Sequence, residues 1–402
     1  FRTPKPRELE SGGGEGSKLG KNIKEEKQLA KIEFIPSKRS QNVQIALRML
    51  KKTNEEIRKA IVEMDETVFM AETLEKFLET APTEDEQRQT EKEANKDDIN
   101  PLKQFGKCEL FFYVLIDLPD LQMRLQLWHF KLSFKGNLFE KHQQLKSLED
   151  ACQVIRKSEA LREILQIVLA WGNHMNGDTP AGQAYGFDLE SLHLLTGVKT
   201  FDNSLNMMMF LYKFIYEKQP KLLKVFDELA VVHIACKIES EMIEKSVKKV
   251  KDDMDLLDAT LTRFEGDYED VLPVNDKFIP VMKEFQSKSN PEVKKLLQRA
   301  KDVKDACNKL GLYFAYDLEN HRIEQLFTIL SDFIRNLEKG RDDLHKLEKD
   351  RERKRQKKNG KKSKKKKEKA TGEKIQEIKE NGIQKREVKE ERSILDDIKT
   401  RV

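Results

Sequence analysis

The chain is poor in what most enzymes and secreted proteins depend on. Its 402 residues hold four cysteines, eleven prolines and two tryptophans. Cys108, Cys152, Cys236 and Cys307 lie far apart in sequence with no Cys-x-x-Cys pair, and each sits in a helical pattern. That spacing excludes a zinc ribbon and a dense disulfide framework, and predicts buried free thiols in a reducing compartment. No Pro-Pro pair occurs, so no polyproline ligand tract is present in these residues. No run of 18 apolar residues exists, which argues against a membrane-spanning helix, and the first residues carry no apolar signal core. Alternating apolar–polar runs bounded by turn dipeptides are essentially absent, so no sheet is expected.

Catalytic constellations are missing too. The seven histidines show no metal spacing with one another or with the cysteines. The glycines between 172 and 186 are followed by no Gly-Lys-Ser/Thr, so no lysine is placed on a phosphate. No Gly-x-Ser-x-Gly occurs. Pairs such as Asp252-Asp253 read as solvated helix faces. The expectation is a non-enzyme without metal or cofactor.

Charge is abundant, at 37% of residues, a load usual for long exposed helices. The net charge of +5 hides an asymmetry: residues 351–369 hold 13 Lys/Arg against 2 Glu, or +11, leaving about −6 for the rest. No aromatics are interleaved with these basic residues, so base stacking is not expected. The run reads either as a solubilising tail or as a contact for an acidic partner: a filament side, anionic lipid, an import receptor or, against the missing aromatics, nucleic acid, which is not the expected partner.

Residues 1–34 read as a flexible linker with a Gly12-Gly13-Gly14 run, and 35–340 as a helical body. Residues 341–402 read as a charged helix fraying into a disordered basic tail, ending in the apolar island Ser393–Ile398. Within the body, Thr53-Asn54-Glu55-Glu56 and Thr83-Glu84-Asp85-Glu86 are capping boxes. Residues 104–134 predict two helices broken at Pro119, followed by helices over 138–157 and 158–171. Ile243, Val247, Val250, Met254, Leu257, Leu261, Phe264 and Tyr268 step 4-3-4-3-4-3-4, a heptad seam needing an apolar partner. A helix from about Pro291, with Leu296, Ala300, Val303, Cys307 and Leu310, supplies one within the chain; pairing between chains is the alternative.

The most distinctive stretch runs from Leu165 to Phe187. An apolar helix passes into Gly172-Asn173-His174-Met175-Asn176, and a glycine-rich loop closes on Tyr185-Gly186-Phe187. Its residues fit a long connector or a loop shaped to receive something. Near the start, Lys38-Arg39-Ser40-Gln41-Asn42-Val43-Gln44-Ile45 opens a helix on which periodicity puts Ile45 among Val43, Ala46, Leu47 and Leu50, a core position on that ground.

These segments resemble the formin homology 2 (FH2) family. The first is similar to its Gly-Asn-x-Met-Asn signature, the second to its Lys-Arg-x-Gln-Asn-x-x-Ile segment, and Val198-Lys199-Thr200-Phe201-Asp202 to its Thr-Lys-Ser-x-Asp segment. Asp276-Lys277-Phe278 and Leu312-Tyr313-Phe314 also fall where the family has similar residues. The resemblance covers about residues 35–340 and implies an all-α, elongated domain with knob, antiparallel coiled-coil and post regions. It implies an actin-binding protein, cytoplasmic and on the actin cytoskeleton, that nucleates filaments and stays on their barbed ends. Ile45 and Lys199 would contact actin, with Lys38, Arg39 and Asn42 beside Ile45. Gly172, Asn173, Met175, Asn176, Gly186 and Phe187 would form the post that receives a partner subunit's lasso in a homodimer, with Met175 and Phe187 lining the contact. The lasso tryptophan has no counterpart here, since Trp128 and Trp171 both lie inside the helical body. Phe201 and Met207-Met208-Met209 also depart from the family pattern. Leu125–Leu132, with the basic tail, looks closest to the FHOD branch of formins, which implies capping and bundling. A coiled-coil scaffold or filament-bundling protein without barbed-end activity is the alternative function.

Overall fold

The computed structural model describes residues 31–200, 204–268 and 270–368, with side chains as far as residue 357 except that of Ala181. Residues 1–30 of the expected linker, Phe201, Asp202, the side chains of the 361–369 basic run and the Ser393–Ile398 island lie outside what is described. The described chain is all-helical, with two isolated β-bridges. It divides into two compact units, Phe1–Leu125 with Val271–Asn275, and Gln126–Asp270 with Asp276–Val402.

The first unit contains α1 (Ser37–Leu50), α2 (Asn54–Glu63), α3 (Ala71–Leu78), α4 (Glu84–Ala94), α5 (Pro101–Gln104) and α6 (Lys107–Val114). Both capping boxes form. Thr53 Oγ1 accepts from Glu56 N at 3.2 Å while Thr53 N donates to Glu56 at 2.8 Å, and Thr83 and Glu86 repeat the arrangement. Each box satisfies orphan amides that would otherwise fray the first turn. α6 is the centre: α1, α2 and α4 pack on it. Phe69, Phe77, Phe111 and Phe112 are fully buried, with the Phe69–Phe77 rings 5.0 Å and Phe77–Phe111 6.0 Å apart.

α7 (Leu121–Lys157) begins at Leu121 after the turn at Pro119 and is one continuous helix, not two broken near residue 137. Gly136 and Asn137 do not interrupt it, because packing pins both flanks. Phe130 and Phe134 stack edge-on against Phe285 at 5.7 and 5.2 Å, and Leu145 and Leu148 are buried further along. α8 (Glu159–Met175) is capped by Ser158, whose hydroxyl accepts from Leu161 N at 3.0 Å and donates to Glu228 at 2.6 Å. Short 3-10 turns at Pro180–Gln183 and Leu189–Thr196 lead to α9 (Met207–Lys218), α10 (Val225–Glu228) and α11 (Val232–Ala235).

α12 (Ser240–Gly266) and α13 (Phe278–Tyr313) form an antiparallel pair. As the numbers fall along one helix they rise along the other: Phe264 meets Phe278 at 5.0 Å, Gln286 donates to Asp258 at 2.9 Å and Lys304 to Glu244 at 3.0 Å. Ile243, Val247, Val250, Met254, Leu257, Leu261 and Phe264 are all buried, and Tyr268 closes the row edge-on to Phe264. Each such side chain withdrawn from water contributes about 1.5–3 kcal/mol. α13 does not start at Pro291; it starts at Phe278, where Asp276 accepts from Phe278 N, and Pro291 lies inside it. The ring removes one i→i−4 hydrogen bond, but buried Met282, Val293 and Leu296 hold both halves in place.

α14 (Ile323–Glu368) packs on α9 and α11. A Cβ at Gly340 would lie 2.9 Å from the Met208 carbonyl, so glycine sets how closely the two helices approach there. The helix continues through residue 341, and packing continues with it. Arg341 sits 5.7 Å over the Phe226 ring, His345 meets Tyr212, and Leu344 is buried. From Glu348 to Lys357 every residue is exposed.

Candidate functional site

Two surfaces, one in each unit, contain the residues singled out by sequence. On α1, Lys38, Asn42, Ile45 and Met49 follow at i, i+4, i+7 and i+11. At about 100° per residue they share roughly 60° of arc. All four are exposed, Ile45 at 56% and Met49 at 65%, while Val43 on the opposite face is fully buried. Periodicity placed Ile45 in the core; the structure puts it on the surface, because Val43 takes the inward position. Met49 completes the stripe and was missed, although its spacing of four from Ile45 was legible. A groove of about 140 Å³ beside Met49 is floored by Phe77 and edged by Glu72 and Lys76.

Arg39 is not part of this stripe. Its Nε donates to Glu86 Oε1 at 2.9 Å and its Nη2 to Glu86 Oε2 at 3.0 Å, a bidentate pair. Nη1 donates to the Glu79 carbonyl at 2.7 Å and Nη2 to the Ala81 carbonyl at 2.9 Å. The guanidinium therefore ties α1 to the end of α3 and the start of α4. Burial pushes the Glu86 carboxyl up, but Arg39 and Thr83 outweigh it and hold the pKa below the ordinary value. Glu109, 1% exposed, accepts from Ile35 N at 3.1 Å and fixes the entry to α1. Beside it, burial and then the Glu109 charge push the Cys108 thiol up to about 12.

In the second unit, Asn173 does for the 172–187 loop what a strand partner would do. Its Nδ2 donates to the Ala184 carbonyl and its Oδ1 accepts from Ala184 N, both at 2.9 Å. The Asn176 carbonyl accepts from both the amide and the hydroxyl of Thr179. The tight glycine is Gly182, where a Cβ would collide with the Asn176 carbonyl oxygen and lie 2.8 Å from Gly177 Cα. At Gly172 and Gly186 a Cβ would meet nothing within 4 Å, so those positions are open.

Gly186 and Phe187 line a cavity of about 210 Å³, whose other walls are Ile155, Leu161, Arg162, Leu165 and Leu169 with Tyr313 and Phe314. Gly172, Asn173, Met175 and Asn176 do not line it. Met175 is exposed at 53% and Tyr185 fully so. Tyr313 and Phe314, from the end of α13, reach this place across the fold, which the spacing of Leu312-Tyr313-Phe314 does not encode. Lys199 is exposed and pairs with Asn206 in an antiparallel bridge, with Thr200 N donating to Leu205 O and Met207 N to Val198 O, each at 2.9 Å. Asn206 also caps α9 through Met209 N at 2.8 Å, so the bridge that holds Lys199 is tied to the start of α9.

The one histidine–hydroxyl contact described in the second unit is not open to a substrate. His233 Nδ1 lies 2.8 Å from Ser331 Oγ, but Ser331 is 1% exposed, and burial pushes the imidazole pKa down. Among the described residues there is no group of three metal-ligating side chains. None of the described helices is long and apolar enough to cross a membrane.

The described residues are an all-helical framework with two exposed surfaces. The family model described as Formin Homology 2 Domain matches residues 2–338, and the chain belongs to that family. FH2 domains are non-catalytic modules, with which the described residues are consistent. It is 28% identical over 321 residues to Formin-like protein 12 of Oryza sativa subsp. japonica, covering 80% of this chain and 19% of that one. With Formin-like protein 6 of the same species it shares 29% over 313 residues, 78% of this chain and 22% of the relative. With Formin-like protein 14 of Arabidopsis thaliana it shares 27% over 316 residues, 79% and 25% of the two chains. The chain thus spans about a fifth to a quarter of the length of these relatives.

Proposed function

We propose that this chain binds actin through both surfaces, promotes filament nucleation and remains on the barbed end, within the cytoplasmic actin cytoskeleton. The observation that carries the reading is the α1 stripe. An exposed isoleucine and methionine, flanked by Lys38 and Asn42, stand on a helix that Arg39 and Glu109 hold rigidly. An apolar anchor beside positive charge suits an apolar cleft in an acidic partner, with charge speeding encounter and apolar burial giving affinity. Arg39 acts here by positioning the stripe, and Lys199 makes a second contact from its bridge to Asn206.

The mechanism is positional. Two contacts, one from each unit, hold actin subunits as they lie in a filament, offsetting the entropy that makes a spontaneous nucleus rare. The α12–α13 pair acts as the coiled-coil region. The cavity behind Gly186 and Phe187 serves as the post, a socket for one bulky apolar side chain from a partner subunit that carries a lasso. The basic stretch after residue 350 rests on acidic filament sides, and Leu125–Leu132 gives the chain an FHOD-like character.

Pyrene-actin assembly with wild type, Ile45→Ala and Lys199→Asp tests this. Faster assembly with wild type and loss with each variant supports it. Equal traces for all three support the scaffold reading, for which the antiparallel helix pair is the favouring observation.

A further inference from the structure

Cys152 on α7 and Cys307 on α13 are 155 residues apart in sequence, yet their sulfur atoms lie 3.7 Å from one another. Both side chains are buried, at 1% and 6% exposure. We propose that these two thiols are a dithiol–disulfide site, a reversible covalent tie between α7 and α13. A disulfide has its sulfurs about 2.05 Å apart, so closure needs an approach of under about 2 Å. The other two cysteines are placed differently. The Cys236 sulfur contacts the His233 carbonyl and Ser331, and Cys108 lies in the other unit.

The tie would sit beside the cavity. Ile155, one turn beyond Cys152, and Tyr313 and Phe314, two turns beyond Cys307, are cavity walls. Fixing α7 to α13 at this point therefore limits how far those walls can part. The thiol pair does not depend on what the cavity receives.

The oxidant is a small two-electron acceptor such as hydrogen peroxide. One sulfur attacks a peroxide oxygen, giving a sulfenic acid and releasing water. The second thiol attacks that sulfur, the S–S bond forms, and the hydroxyl leaves with the remaining proton as a second water. Each sulfur is oxidised by one electron and one peroxide is reduced. The Cys152 contact and burial both favour the protonated Cys307 thiol, so the first step is slow and proceeds through local opening.

The test is intact-mass analysis of the whole chain after peroxide treatment, quenching, denaturation and alkylation of free thiols. Untreated protein takes up four alkyl groups, one for each free cysteine. The expected oxidised product takes up two, yields a cross-linked peptide containing residues 152 and 307, and regains four after dithiothreitol. Cys152→Ser and Cys307→Ala should each keep all three remaining thiols open to alkylation under the same treatment. Four alkyl groups on treated wild type, or a cross-link through Cys108 or Cys236, would overturn the assignment. Amide exchange across residues 308–316 should slow in the cross-linked form; a cross-link with unchanged exchange there would overturn the coupling to the cavity.

Discussion

Arg39 grips Glu86 through two parallel hydrogen bonds, 2.9 Å from Nε and 3.0 Å from Nη2, and so fastens the helix that displays Ile45 to the start of α4. The neighbouring Lys38 makes the opposite choice and faces solvent. Adjacent basic residues thus divide the work, one holding the helix and the other facing outward beside the apolar stripe.

Arg39→Ala should therefore destabilise the first unit by about 2 kcal/mol, the usual cost of losing charge-assisted bonds while leaving a half-buried carboxylate. Lys38→Ala should stay within about 0.5 kcal/mol of wild type. Urea titrations of the two variants check this.

The same pair sets a pH dependence. The folded Glu86 pKa is below its unfolded value. Its contribution is therefore fully present above about pH 4.3, the unfolded carboxyl value, and is lost as pH falls through the folded one. Glu86→Gln should be less stable at neutral pH and show a flatter loss of stability below about pH 4.3, read from thermal midpoints across a pH series.

Asn173→Ala should loosen the 172–187 loop, since it removes both bonds to Ala184 at about 1 kcal/mol each. Asn173→Asp keeps the acceptor for Ala184 N but loses the donor to the carbonyl. Amide exchange at Ala184 should be fastest in the alanine variant, intermediate in the aspartate and slowest in wild type.

Pro291→Ala should stabilise the chain by up to about 3 kcal/mol, because it restores the hydrogen bond missing inside α13. Leu257→Ala on the facing helix should cost about 2–5 kcal/mol. Calorimetric midpoints for the two variants should move in opposite directions.

These elements also show what sequence could carry. The capping boxes at Thr53 and Thr83 and the 4-3 seam from Ile243 to Phe264 are local patterns. Their partners lie within four residues or repeat at a fixed interval, so they were legible. Gly136 and Pro291 misled because tertiary packing on both sides overrides a local breaker. Arg39 looked like an outward charge because its partner, Glu86, lies 47 residues on. Ile45 sits in a helix whose apolar residues surround more than one face, and periodicity could not say which of Val43 and Ile45 turns inward. Of the predicted post, Gly186 and Phe187 meet at the cavity, whereas Tyr313 and Phe314 reach it from another helix and Cys307 reaches Cys152 across 155 residues. No local spacing encodes either meeting.

The central claim is that the exposed α1 stripe and Lys199 each hold actin. The most direct measurement is subunit loss from filament barbed ends on dilution, with increasing amounts of wild type, Ile45→Asp or Lys199→Asp. The account predicts concentration-dependent slowing by wild type and little or none by either variant, with thermal midpoints unchanged because both side chains are exposed. Equal slowing by all three proteins, or none by wild type, would contradict it.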